Sequence, residues 1–142
     1  MDSRLFAKFK SCLDAWAKEN EKGEHCLSRQ ILGKPSSDLQ DILDKLKQLL
    51  DTMVEEYTTI VNQLGLVENL RNDESKADTP KEVILLKSCV DMYDQEYMIK
   101  ECIQNIVSGD GFATQQHLAN SAALWKSESY LDEQIQQEIK KL

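Results

Sequence analysis

The chain has 142 residues, of which 41% are hydrophobic, and its 17 basic and 25 acidic side chains give a net charge of -8. This length predicts a single domain, 1–142, whose core needs no disulfide or metal, and the acidity disfavours direct binding of nucleic acid or anionic membrane. With only 5 glycines and 2 prolines, the chain lacks the frequent turns of a sandwich or barrel, so we expect an all-α fold.

The first predicted helix covers residues 4 to 32. Its apolar side chains recur at steps of three and four residues, which is typical of one helical face; they are Leu5, Phe6, Phe9, Cys12, Leu13 and Trp16. Gly23 lies in a polar stretch and predicts a fray or kink. Gly33 and Pro35 predict the end of the helix, with the glycine as a left-handed cap.

The strongest periodicity lies between residues 38 and 71. Eight side chains alternate there in steps of four and three: Leu39, Leu43, Leu46, Leu50, Met53, Tyr57, Ile60 and Leu64. This heptad pattern predicts coiled-coil-like packing. Ile42, Leu49, Val54 and Val61 widen the stripe, so a bundle is favoured over a two-stranded coil. We expect one of Ser36, Ser37 and Asp38 to cap this helix.

A third helix is predicted after an exposed loop at residues 71 to 78. Thr79 and Glu82 have the spacing of a capping box, with Pro80 at the first helical position. Thr79-Pro80 is also a minimal site for a proline-directed kinase, so phosphorylation of Thr79 stays open. The apolar stripe of this helix consists of Val83, Leu86, Val90, Tyr93, Tyr97, Ile99, Ile103 and Ile106. Four acidic residues lie between these positions and are expected to form a solvated face: Asp91, Asp94, Glu96 and Glu101.

The sequence Gly109-Asp110-Gly111 is expected to separate two helices. Gly109 suits a left-handed C-cap and Asp110 suits the next N-cap, whereas a phosphate or calcium loop would need further residues at fixed spacing. Two short helices complete the prediction, one with Phe112, Leu118, Ala122 and Trp125, the other with Leu131, Ile135, Ile139 and Leu142 and capped by Ser127 or Ser129. The predicted fold is an elongated antiparallel bundle of four to five helices.

No arrangement of residues typical of an enzyme is found. The motif search finds no catalytic, phosphate or metal-binding pattern, and His25 and His117 lack partners at a characteristic spacing. The four cysteines, Cys12, Cys26, Cys89 and Cys102, form no Cys-x-x-Cys pair, and neither a signal-like segment nor a membrane-length apolar run is present. We therefore expect reduced thiols, no metal, no cofactor, and nuclear and cytoplasmic localisation.

Protein interaction is the remaining prediction. Trp16 and Trp125 are large anchors that are expected mainly in the core. The candidate interaction residues are Leu27, Leu66, Val67 and Leu70, which lie where helices end or fray, together with Trp125 and Tyr130.

Residues 92 to 133 read MYDQEYMIKECIQNIVSGDGFATQQHLANSAALWKSESYLDE. The order of Met92-Tyr93, Lys100, the Gly109-Asp110 turn, Leu118, Leu124-Trp125 and Tyr130 resembles cyclin-dependent kinase-interacting proteins of the CINP type. The stretch LDAWAKENEKGEHCLSRQI is similar to the tryptophan-bearing first helix of that family, and the helix from Leu39 is similar to its central coiled-coil segment. The ribosome-maturation factor AIRIM has a comparable layout. We do not expect this chain to carry the family's basic N-terminal extension or its aromatic, proline-rich stretch before the third helix.

The resemblance implies a non-enzymatic adaptor that forms a hetero-oligomer. Its implied partners are a second small helical subunit and an AAA+ ATPase that acts in maturation of the large ribosomal subunit. Alternatively, the ATPase would be replaced by a cyclin-dependent kinase assembly in genome maintenance. The residues also leave open a structural coiled-coil subunit of a kinetochore or tethering-type complex.

Overall fold

A computed structural model of the protein describes residues 3–63 and 80–142. These ranges contain a 3-10 turn, Ser3–Phe6, and five α-helices: α1 (Ala7–Ser28), α2 (Asp38–Gln63), α3 (Lys81–Ser108), α4 (Gln115–Ser127) and α5 (Glu133–Lys140). No strand occurs in the two described ranges. The prediction of an all-α helical bundle is confirmed.

The first three helices are antiparallel neighbours in chain order. The start of α1 lies beside the end of α2, because Lys8 Nζ is 3.6 Å from Glu56 Oε1. The start of α2 lies beside the end of α3, where the Ser36 amide donates to the Val107 carbonyl at 3.0 Å. At the opposite end of the same pair, Val61 packs on Val83.

Helices α4 and α5 lie one after the other along α1 and α3, so that together they form a fourth column of the bundle. Near the end of α4, Trp125 Nε1 donates to the Asn20 carbonyl of α1 at 3.0 Å. Farther along, Gln136 of α5 donates to the Tyr93 hydroxyl of α3 at 2.9 Å. The column is broken at Glu128, which adopts left-handed backbone angles of φ 45° and ψ 54°.

The heptad stripe of α2 lies in the core, as predicted. Leu39, Leu43, Leu46, Leu50, Met53 and Ile60 are each 3% exposed or less. Tyr57 is partly buried, and Leu64 lies outside the described residues. Since α2 packs against both α1 and α3, the widened stripe serves two neighbours in the same chain.

Two expectations for the first helix are wrong. The helix ends at Ser28 rather than Leu32, because the following loop turns toward the end of α3 and the Gly33 amide donates to the Phe112 carbonyl at 2.8 Å. Gly33 is left-handed, with φ 71°, but it lies inside this loop and does not cap the helix. Gly23 causes no fray, because α1 is continuous through it.

The caps beyond α3 also differ from prediction. Helix α3 ends at Ser108 as expected, but Gly109 has φ -82° and Gly111 is the left-handed glycine, with φ 73°. Asp110 caps nothing, because residues 109 to 113 form a connection packed on the 29–36 loop and α4 starts only at Gln115.

Threonine and aspartate supply the caps of the last two helices. Thr114 accepts from the His117 amide, and Asp132, rather than Ser127 or Ser129, caps α5. At the start of α2, the amide of the first helical residue, Asp38, donates to Ser36 Oγ at 3.2 Å. Pro80 directly precedes α3. Thr79 and the loop at 71 to 78 lie outside the described residues.

Candidate functional site

A buried ammonium group lies where α1, α3 and α4 meet. Lys100 is 0% exposed, and its Nζ donates to Oδ1 of Asn20 and to the Trp125 carbonyl, the latter at 2.9 Å. The same Nζ is 3.7 Å from Glu96 Oε1 and 3.5 Å from Glu128 Oε2. It also lies 4.3 Å from the ring centroid of Trp125, within the range of a cation–π contact. We call these five residues the Lys100 cluster.

Both tryptophans belong to this buried region. Trp16 Nε1 donates to Glu128 Oε2 at 2.7 Å, and the Trp16 ring meets Tyr93 edge-on at a centroid distance of 4.9 Å. Trp125 Nε1 donates to the Asn20 carbonyl. The core position predicted for both rings is confirmed. The proposal of Trp125 as a partner contact is wrong for this structure, because the residue is 0% exposed.

The local sequence explains how the charges reach the interior. Glu96 and Lys100 are four residues apart on α3, so they lie one turn apart on the same helical face. That face also carries Tyr93 and Ile103, which are buried. Glu128 comes from the break between α4 and α5, where its left-handed backbone conformation leaves the carboxylate 3.5 Å from Lys100.

Sequence reasoning placed Glu96 wrongly on a solvated face. The residue is 1% exposed, whereas Asp91, Asp94 and Glu101 are exposed as expected. Its spacing from Tyr93 and Lys100 was the signal that could have found it. The amide of Tyr130 donates to Glu96 Oε2 at 3.3 Å, so the cluster also holds the connection between α4 and α5.

Burial shifts both ends of the Glu96–Lys100 pair toward their neutral forms. The pKa of Glu96 is raised, chiefly by burial and further by Glu128, although Lys100 and the Tyr130 amide favour the carboxylate. The pKa of Lys100 is lowered, because its burial outweighs the attraction of Glu128 and Glu96. Glu96 Oε1 is buried without a hydrogen-bond donor. The cluster therefore ties three helices together at a desolvation cost.

Acidification should stabilise the protein through Glu96. Its folded-state pKa is raised above the ordinary value of 4.5, so the folded state takes up this proton first as the pH falls. The resulting contribution to the free energy of unfolding grows between the folded pKa and 4.5. We expect the unfolding free energy of the wild type, minus that of Glu96→Gln, to rise on acidification when both are measured by urea titration. A difference that falls would contradict the raised pKa.

Gly23 permits the close approach of α4 to α1. A Cβ at this position would lie 2.2 Å from Cζ2 of Trp125, a ring that is fully buried. Gly23→Ala would gain about 1 kcal/mol in helix propensity. Overpacking costs about 1–3 kcal/mol, and the severe overlap makes this the larger effect. We expect a net loss of about 1 kcal/mol in urea unfolding.

A double-mutant cycle separates these two effects. In the background of Trp125→Leu, which removes all three indole atoms that the Cβ would meet, Gly23→Ala should become neutral or stabilising. If Gly23→Ala costs the same in both backgrounds, contact with Trp125 is not the reason for glycine at this position.

The cysteines are four free thiols. Burial raises the pKa of Cys89 to about 12, and it is also the main cause of the raised pKa values of Cys12 and Cys26. Such thiols are weak nucleophiles and weak metal ligands, because the reactive form is the thiolate. Within residues 3–63 and 80–142, no group of three or more His, Cys, Asp or Glu side chains is placed to hold a metal ion.

The predicted interaction residues fall into three groups. Leu27 is 2% exposed, so its expected exposure is wrong: it lies on the core face of α1, one residue before the helix ends. Leu66, Val67 and Leu70 lie outside the described residues. Tyr130 is 48% exposed, so it is available to a partner, while its backbone amide is held by Glu96.

Other large apolar side chains are exposed that the sequence did not single out for interaction. They are Ile31, Leu32, Val54, Ile84, Met98 and Leu124. The heptad stripe predicts that Val54 faces a second helix, and 43% of its surface is exposed.

Comparisons with protein-family models, with curated proteins and with solved structures find no match to this chain. Among the described helices, none combines the length and the apolar character needed to cross a bilayer.

Proposed function

We propose that this chain is a non-enzymatic helical adaptor, an accessory subunit that pairs with a second small helical protein. Its larger partner is an AAA+ ATPase of large ribosomal subunit maturation or a cyclin-dependent kinase assembly. The partner classes come from the resemblance to CINP-type proteins, carried by Met92-Tyr93, Lys100, Leu124-Trp125 and Tyr130 in that order.

The observation that carries the adaptor proposal is the enclosure of the Lys100 cluster. A catalytic acid, base or nucleophile must reach a reacting atom of a substrate. Lys100 and Glu96 are 0% and 1% exposed, and Lys100 directs its contacts to Asn20, Trp125 and Glu128 of its own chain. The most unusual group of charges therefore supports a structural role and leaves the outer surface for binding.

The surface supports binding of protein. Large apolar side chains remain exposed on rigid helices, among them Met98 at 58% and Ile84 at 56%. Apolar side chains on a preformed helical surface lose little conformational entropy when a partner covers them. The alternative, a structural coiled-coil subunit, would need an apolar stripe that is free for another chain. Leu46, Leu50 and Met53 face the intramolecular core instead, so this alternative has less support.

Affinity purification of the chain, tagged at its native abundance, tests the adaptor proposal. Mass spectrometry at moderate salt should recover a second small helical protein together with either an AAA+ ATPase and pre-ribosomal proteins, or a cyclin-dependent kinase complex. The matched control is Leu50→Asp, in which the buried residue is replaced and the bundle should be lost. Recovery of only the chain itself or of other coiled-coil proteins would refute the proposal and favour the structural subunit.

A further inference from the structure

The outer rim of the contact between helices α2 and α3 carries apolar side chains. On α2, Lys47, Val54 and Val61 follow one another at intervals of seven residues and therefore share a side of the helix. On α3, Val83, Val90 and Tyr97 have the same spacing. The two series run in opposite directions and meet at both ends: Lys47 Nζ lies 5.5 Å from the Tyr97 ring centroid, and Val61 packs on Val83.

The midpoint of the two series therefore places Val54 opposite Val90. Val54 is 43% exposed, and Met98, next to Tyr97 on α3, is 58% exposed. Val90 and Tyr97 are partly buried. An apolar strip thus follows the outside of the α2–α3 contact. We call this strip, with the charged residues along it, the α2–α3 face.

Acidic side chains dominate the borders of the strip. They are Asp44 and Asp51 on α2 and Asp91, Asp94 and Glu101 on α3, against the two lysines Lys47 and Lys87. Each lysine already pairs with an aspartate of its own helix, Lys47 with Asp51 and Lys87 with Asp91, both at 3.3 Å. The negative field reaches the strip itself, since Glu101, Asp44 and Asp51 add to the effect of burial in raising the pKa of Tyr97.

We propose that the α2–α3 face binds a basic amphipathic helix of a partner protein. An amphipathic helix laid in a groove is a recurring mode of recognition: its apolar side chains would cover Val54, Val90 and Met98, and its lysines or arginines would face Asp94 and Glu101. The acidic border selects against an acidic helix and steers a basic one. The inference rests on the proposed adaptor function and adds the location and the charge of the occupant.

Peptide binding to the full chain tests this directly. Two synthetic peptides of about 18 residues, or five helical turns, carry leucines at the same helical spacing, with lysine at the remaining positions in one and glutamate in the other. NMR spectra of the 15N-labelled chain should shift along α2 and α3, centred on Val54 and Val90, with the lysine peptide only. The affinity should fall as salt is raised. Shifts centred on another face, or binding of the glutamate peptide as well, would overturn the inference.

Matched variants separate this face from the general acidity of the chain. Asp94→Lys with Glu101→Lys should weaken the lysine peptide roughly tenfold or more, whereas Asp14→Lys with Glu21→Lys on α1 makes the same charge change and should have less than about a twofold effect. All four positions are exposed, so both variants should keep the wild-type circular dichroism spectrum. Equal losses in the two variants would mean that net charge alone drives binding, which contradicts the inference.

Three further measurements distinguish the ways in which the inference could fail. Val54→Ser with Met98→Ser, which leaves the charge unchanged, should also weaken binding, and unchanged affinity would contradict the apolar contact.

Sedimentation of the free chain should give a monomer. A dimer that Asp94→Lys disrupts would make a second copy the occupant and overturn the proposal.

If wild type and Asp94→Lys with Glu101→Lys capture the same partners in the affinity purification, the proposed binding face is wrong but the adaptor function stands. If wild type captures none, the adaptor function fails.

Discussion

Replacing Lys100 with methionine is expected to lower the free energy of unfolding by about 3–5 kcal/mol, because it removes one partner of a buried ion cluster. Glu96 is 1% exposed, so its carboxylate would stay in the interior without a cation. Trp125 would also lose the hydrogen bond to its carbonyl and the cation–π contact to its ring. Urea unfolding followed by circular dichroism measures the change, and the melting temperature should fall by roughly 10 °C or more.

A matched control and a rescue define the cause of this loss. Lys87→Met lies on the same helix, but its ammonium is exposed and pairs with Asp91 at 3.3 Å, so the change should stay within about 0.5 kcal/mol. Adding Glu96→Gln and Glu128→Gln to Lys100→Met should recover much of the stability, because the uncompensated carboxylates are gone. If the triple variant is no more stable than Lys100→Met, lost packing around the lysine stem is the cause instead.

The rescue also bears on what the cluster contributes. A buried ion pair is weak evidence for net stability, because desolvation offsets most of the Coulomb attraction. The Lys100 cluster does join residues from α1, α3 and the link between α4 and α5. We therefore expect the cluster to specify where the α4–α5 column bends and how it lies on the other three helices.

Helical periodicity was sufficient to predict the parts of the fold that depend on one helix and its apolar face. The repeated steps of four and three from Leu39 to Ile60 gave the core face of α2 correctly, since burial of a helical stripe follows from its period alone. The same reasoning found both short helices after α3. The end of α3 was predicted from Gly109, which follows the helix but is not left-handed. The sequence signals of these elements are local. Each helix packs through an apolar face, so its burial can be predicted without knowing which helix covers it.

The errors lie where the structure depends on contacts that are distant in sequence. Gly23 was read as a weak point of α1, but its absent side chain makes room for Trp125, 102 residues later. Asp110 has the chemistry of an N-cap, yet the packing of Gly111 on the backbone of Lys34 delays the next helix until after Thr114. A left-handed backbone conformation usually favours glycine, but Glu128 adopts it. The bend that completes the buried cluster therefore could not be predicted from the sequence.

The candidate site was predicted least well, for the same reason. Charged residues between apolar positions are usually solvated, and Asp91, Asp94 and Glu101 follow that rule. Glu96 departs from it on a face that packs into the core, where Lys100 lies one turn away and the Tyr130 amide approaches from the α4–α5 connection. The first of these neighbours can be read from the spacing, whereas the second requires the fold.

Leu50→Asp is expected to unfold the protein altogether. Leu50 is 2% exposed in the middle of the α2 stripe, and an aspartate there would bury an unpaired charge and lose the packing of the leucine. The two effects together should cost more than about 5 kcal/mol, which is the lower end of the total stability of a single domain. Circular dichroism of the purified variant should show loss of helix, and its amide NMR signals should collapse to the narrow range of an unfolded chain.

Val54→Asp is the control that gives this result its meaning. Val54 lies on the same helix, four residues later, but it is 43% exposed, so its aspartate can stay hydrated and the unfolding free energy should change by about 0.5 kcal/mol or less. The pair of variants therefore separates core from binding surface. If Leu50→Asp remained a helical monomer that had only lost its partner, the stripe would be an interface between chains. The structural coiled-coil alternative would then displace the adaptor proposal.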